Sequence, residues 1–276
     1  MVYTFICMDI LSALFLGIVE GLTEFLPISS TGHLLVTEKL IDFKDETALF
    51  TVVIQLGAIL SAGWYFRKDL VYIISSLARG DKVMRRFVWS VFIGVLPAGI
   101  VGLIVEKTIG LPDALPLIAL TMIVGGIAFL FIENRVTKKP LQSGEVAYDD
   151  ITPRRALYVG LGQCLAIIPG VSRSGATIMS GLLAGLDRKT ATIFSFYLSI
   201  PIMVSASALK LLDGRSTLSS ITGGTPALVV GVISAFITAL LVINWLLKYV
   251  TTNSFKPFAY YRIAVGFILA VALILN

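Results

Sequence analysis

Long apolar runs separated by short polar breaks are the first pattern in the chain. Six of them, Leu49–Phe66, Phe87–Val105, Pro116–Ile132, Ala191–Leu212, Ala227–Leu247 and Tyr260–Leu275, lie near the length a membrane-crossing helix requires. Two further stretches are apolar but interrupted. Thr4–Leu26 stops at Pro27 and resumes as the short run Leu34–Ile41. Ala156–Ile168 stops at Pro169-Gly170 and resumes as Thr177–Leu186. A proline inside such a run removes a helical hydrogen bond and ends the helix. Glu20 and Glu24 sit inside the first interrupted stretch, where a lipid-facing helix would be strongly destabilised. Each interrupted stretch therefore predicts a helix–break–helix hairpin that enters the membrane and returns. Its broken backbone must be buried in protein or line a cavity.

The plan occurs twice. Ser29-Ser30-Thr31-Gly32 and Ser172-Arg173-Ser174-Gly175 stand 143 positions apart, and Glu20 and Gln163 share that offset. Each half holds one broken hairpin and roughly three spans, and an odd number of spans inserts the second copy upside down. The expected fold is an all-α polytopic membrane protein with an inverted-topology repeat. It has about six transmembrane helices plus two re-entrant hairpins, in a single integral-membrane domain. The halves run approximately 1–135 and 151–276, joined by a cytoplasmic linker at 136–150 that contains Pro140 and Gly144.

Charge distribution orients this plan. Arg67, Lys68, Arg79, Lys82, Arg85 and Arg86 read as one cytoplasmic loop, and Arg135, Lys138, Lys139, Arg154 and Arg155 as another. Lys248 and Lys256 put the last connection on the same side, and the turn around Gly110–Asp113 falls outside. Composition agrees: 57% of residues are hydrophobic and 14% charged, where a soluble domain carries about a quarter charged residues. The net charge of +5 is spread over loops, so it marks orientation among membrane lipids and no nucleic-acid partner. Cys7 and Cys164 lack a CxxC or histidine partner and read as inert buried thiols. The first charge is Asp9, with no basic segment before it, so the first apolar run is expected to stay in the mature chain.

Chemistry concentrates at the two breaks. Glu20 and Glu24, spaced i, i+4, leave one helix face a turn apart. Two carboxylates in low dielectric need a cation or a shared proton, and a hard divalent metal, Mg²⁺ or Ca²⁺, suits them. Ser29, Ser30 and Thr31 are placed to cap the following helix, and a helix start with hydroxyls and free amides also binds phosphate. One of these hydroxyls is a candidate nucleophile. His33, the only histidine, is a candidate proton donor or acceptor. In the second break Arg173, flanked by Ser172 and Ser174, is a bidentate phosphate clamp. Thr177 reads as a back-bond to its helix, Asp187-Arg188-Lys189 as a solvated helix start, and Gln55 as either a site-lining amide or a helix–helix contact. Together these groups suit hydrolysis of a phosphate carried on an amphiphile, since a soluble ester needs no site at membrane depth.

Glu20-Gly-Leu-Thr-Glu24-Phe-Leu-Pro-Ile-Ser-Ser-Thr-Gly-His33, with Pro169-Gly-Val-Ser-Arg-Ser-Gly-Ala-Thr177 later, resembles the bacterial undecaprenyl-diphosphatase family, also called bacitracin resistance proteins. The resemblance covers essentially the whole chain. It implies a multi-pass enzyme of the bacterial plasma membrane that converts undecaprenyl diphosphate to undecaprenyl phosphate and inorganic phosphate. That reaction recycles the lipid carrier for cell-wall synthesis and deprives bacitracin of its target. The resemblance further implies metal dependence and a site opening to the extracytoplasmic side. It places Glu20 and Glu24 on the acidic pair, Ser29, Ser30 and Thr31 on the hydroxyls, His33 on the histidine, and Ser172, Arg173 and Ser174 on the phosphate loop.

The expected mechanism has Ser30 attack the terminal phosphorus, activated by Glu24 or His33, with direct attack by water as its rival. A transporter or flippase of polyprenyl phosphate carriers is the alternative from a different class, since broken inverted repeats are also transporter architecture. A phosphohistidine lipid phosphatase needs two histidines and is excluded by the single one here. A homodimer is compatible with the sequence.

Overall fold

The computed structural model describes residues 2–43, 45, 48–108, 114–136, 147–213 and 224–275, with backbone alone at 2–8 and 213. The side chain of Cys7, the turn at Gly110–Asp113, and Lys138, Lys139, Pro140 and Gly144 lie outside the described residues. Eleven α-helices account for most of the described chain: α1 Val2–Thr23, α2 Ser30–Leu40, α3 Leu49–Tyr65, α4 Arg67–Ala78, α5 Lys82–Thr108, α6 Leu115–Arg135, α7 Pro153–Gln163, α8 Arg173–Leu183, α9 Arg188–Asp213, α10 Gly224–Thr252 and α11 Lys256–Leu275. Short 3₁₀ turns occupy Tyr148–Asp150 and Cys164–Ile167. There is no strand among the described residues.

Five helices, α5, α6, α9, α10 and α11, are long and apolar enough to cross a membrane, and the bent pair α3 and α4 makes a sixth if counted as one span. Leu60, Trp64, Trp89, Phe92, Leu120 and Leu241 stand exposed on the outer faces, as lipid-facing residues do. The chain is a multi-pass membrane protein.

Two expectations are corrected. The basic segment 67–86 is not a loop: α4 and the start of α5 run through it. Val71, Tyr72 and Ile74 give α4 an exposed apolar face, and Asp81 Oδ1 caps α5 by accepting from the amides of Val83 and Met84. The charges mark helix ends within the segment, and the apolar residues between them carry the helix. Nor is Arg188 solvated. Its Nε and Nη2 donate to Glu133 at 3.1 and 2.6 Å, and the Glu133 side chain is 1% exposed. The Phe255 amide gives that carboxylate a third donor.

Small residues bring the helices close, as in membrane bundles generally. α1 lies along α10, with Gly17 against Gly231 and Gly21 against Ala235 and Ala239. Gly94 of α5 meets Gly160 of α7, and Gly126 of α6 meets Ala259 of α11. A continuous aromatic series runs from Phe25 through Phe196, Phe66, Tyr197 and Phe87 to Tyr148, its rings packed edge to face or tilted.

Candidate active site

Both breaks use the same backbone device. After α1, residues 24–28 turn, and Ser29 caps α2 with φ 75°, its Oγ accepting from Gly32 N at 3.4 Å. After α7, the chain turns through Gly170, φ 87°, and Ser172 caps α8 with φ 65°, its Oγ accepting from Gly175 N at 3.2 Å. Gly170 is required twice over. Its backbone is left-handed, and a Cβ there would collide with Thr121 and the Ile118 backbone. Thr121 Oγ1 donates to Pro169 O at 2.8 Å and so holds this turn against α6.

The breaks meet each other. Arg173 Nη2 donates to Glu24 Oε1 at 2.9 Å, with side chains 13% and 5% exposed. Arg173 Nη1 donates to Ser195 O of α9 at 3.1 Å, which leaves Nε buried without a partner. Ser30 Oγ donates to the other oxygen of Glu24 at 2.6 Å. Ser174 Oγ donates to Leu26 O at 2.8 Å, a direct tie from one break to the other. One cavity of about 320 Å³ is lined by Glu24, Ser29, Ser30, Thr31, Gln55, Gln163, Ser172 and Arg173. Its apolar wall comes from Ala98, Ile167, Ile168, Ile202, Met203 and Ala206.

Three expected site residues stand outside this lining. Glu20 is fully buried one turn behind Glu24, and neither of its oxygens has a hydrogen-bond partner. Ser174 spends its hydroxyl on Leu26 and Ser172. His33 stacks on Tyr261, and both its nitrogens are engaged, Nδ1 at 2.7 Å from Ser29 O and Nε2 at 2.8 Å from Tyr261 Oη. A carbonyl only accepts, so Nδ1 carries the proton, and Nε2 of the neutral ring accepts from the tyrosine. Thr177 back-bonds to Arg173 O, as expected, and also meets the Ser195 hydroxyl at 2.6 Å. Cys164 is a half-buried thiol donating to Gly160 O.

The sequence reading missed Arg262. This fully buried side chain of α11 donates to Pro27 O and Val171 O from Nη1 and to Gly170 O and Thr121 O from Nη2, at 3.1–3.4 Å. Its guanidinium also lies over the Phe129 ring. It therefore satisfies carbonyls of both breaks at once. The signal was present, because an arginine inside an apolar span marks a functional or buried polar site by default. Ser195 and Tyr261 carried no comparable signal.

Among the described residues no group of three or more His, Cys, Asp or Glu side chains is arranged to hold a metal. The donor set nearest to that of a hard cation is Glu20 with Glu24: both Glu20 oxygens are buried without a donor, and those of Glu24 are held by Arg173 and Ser30, which a cation would have to displace. Phosphate oxygens and water would complete such a shell, as is usual for Mg²⁺.

The family described as Bacitracin resistance protein BacA matches residues 13–268. The chain belongs to that family. It is 46% identical over 261 residues to Undecaprenyl-diphosphatase 1 of Paraburkholderia xenovorans (strain LB400), covering 93% of this chain and 92% of that protein. It is 45% identical over 276 residues to Undecaprenyl-diphosphatase of Cupriavidus metallidurans, covering 94% and 93%. It is 47% identical over 262 residues to the protein of that name from Nitrosomonas europaea, with the same coverage. Both breaks, Ser195 and Arg262 fall within the matched stretch.

Proposed function

We infer that this protein is an undecaprenyl-diphosphate phosphatase, releasing inorganic phosphate and undecaprenyl phosphate and thereby conferring bacitracin resistance. The observation that carries the reading is the Arg173–Glu24–Ser30 chain, a cation, a base and a hydroxyl in contact within one half-apolar cavity. A carrier that only grips a lipid phosphate needs the arginine but has no use for a carboxylate poised on a serine hydroxyl. That contact favours hydrolysis over the transporter alternative.

In the mechanism, the terminal phosphate displaces Glu24 from Arg173. Glu24, relieved of its cation, takes the Ser30 proton as Oγ attacks the terminal phosphorus. The bond to the bridging oxygen breaks and undecaprenyl phosphate leaves. Glu24 passes the Ser30 proton to the departing undecaprenyl phosphate. Water then attacks the phosphoryl-serine and gives a proton to Glu24, which hands it to Ser30 Oγ as inorganic phosphate leaves. Arg173 and the amides at the two capped helix starts hold the phosphoryl oxygens throughout. The base in this scheme is Glu24, because His33 already has partners at both nitrogens. His33 fixes the Ser29 carbonyl and so the cap that presents Ser30. A divalent cation held by Glu20 and Glu24, when bound, supplies further positive charge to the phosphate.

The two halves form an inverted repeat in the bacterial inner membrane, with the cavity opening to the extracytoplasmic face. Support for this comes from the like-built breaks and from the basic residues clustered between spans. The test is phosphate release from a prenyl diphosphate in detergent, with and without chelator. Turnover is expected to be lost on chelation and in Ser30→Ala, and a trapped phosphoryl-serine is expected in the wild type. Substantial turnover by Ser30→Ala would leave direct attack by water.

A further inference from the structure

We propose that Gln163 contacts the substrate, its carboxamide donating from Nε2 to an oxygen of the diphosphate held by Arg173. This rests on the phosphatase reading above. Gln163 ends α7 and lines the same cavity as Glu24 and Arg173. It is 2% exposed, and neither its Nε2 nor its Oε1 has a partner. A buried amide left unpaired is destabilising, so its persistence at a cavity wall points to a partner that arrives with the ligand.

The position also has a counterpart. Gln163 stands 143 residues after Glu20, the offset that relates Ser29 to Ser172 and Ser30 to Arg173. Glu20 and Gln163 are thus the matching residues before the two breaks, both buried and both unpartnered. The second hairpin has no acid at this place, and Ile167 stands where Glu24 does in the first. A neutral amide in the cavity that Arg173 lines offers a donor to an anion without adding negative charge. A carboxylate there would oppose the phosphate that the arginine attracts.

The test compares full-length wild type, Gln163→Met and Gln163→Glu in detergent. Readouts are hydrolysis of farnesyl diphosphate, binding of inorganic diphosphate followed by ligand-induced shift of the unfolding midpoint, and the midpoint of the free protein. Gln163→Met is expected to raise KM and weaken inorganic diphosphate binding by roughly tenfold or more. Its own unfolding midpoint is expected to stay or rise, since an unpaired amide has been replaced by an apolar group. Gln163→Glu is expected to lose affinity at neutral pH and regain it on acidification, because a protonated carboxyl donates as the amide does. Should Gln163→Met fail to fold, that pH profile decides alone. Wild-type diphosphate affinity in both variants, or a lowered midpoint with affinity unchanged, overturns the proposal and leaves a packing role. If the wild type binds diphosphate through Gln163 yet releases no phosphate, the phosphatase reading fails and the contact stands.

Discussion

The two breaks share a left-handed serine cap and differ most in the side chains they carry. In each, a helix stops, the chain turns, and a serine in left-handed conformation caps a second short helix. The first then carries carboxylates and the Ser30 hydroxyl, and the second carries the guanidinium. The comparison teaches that neither break is a site by itself. The backbone device supplies a serine-capped helix start twice, and opposite charges join the two copies into one cavity.

Disturbing the charges should have the largest effect. Arg173→Ala is expected to lower kcat by about 10³-fold with a smaller change in KM, since the lost group stabilises the transition state. The double reversal Glu24→Arg with Arg173→Glu should restore the pair and the unfolding midpoint but not turnover, because Ser30 then faces a cation. Recovery of activity in that double variant would mean that the breaks are interchangeable. Next in size is Arg262, which binds carbonyls of both breaks. Arg262→Met should cost roughly ten- to a hundredfold in kcat, the penalty of sub-ångström misplacement, and Arg262→Lys should recover part of it. The smallest effect concerns the caps. Ser172→Ala loses its hydrogen bond to Gly175 and places a Cβ residue in left-handed backbone without compensation. It should destabilise by about 1 kcal/mol, with Ser172→Gly closer to neutral, measured as unfolding midpoints.

How much of this was legible followed from whether the signal was local. Pro27, Pro169-Gly170 and the hydroxyl clusters punctuate the chain within a few residues, so both breaks and their caps could be read directly. The Arg173–Glu24 pair could also be anticipated, because opposite charges buried at one depth have few other partners. Arg188 looked like the start of a solvated helix because its partner Glu133 lies 55 residues earlier. Helix α4 was hidden by charges at its ends, although Leu70 to Ile74 are apolar throughout. Arg262 sits inside a span whose length and apolar character alone mark it as membrane-crossing. His33 reads as a proton-transfer residue from its uniqueness among hydroxyls and acids, whereas Tyr261, which occupies its Nε2, is 228 positions away.

Arg262 also bears on the order in which the molecule is made. The carbonyls of Pro27, Gly170 and Val171 obtain this donor only when α11, the latest-synthesised of the described helices, has been inserted. Until then the nascent chain holds both half-loops without this shared donor, so competence for turnover waits for α11 to be inserted.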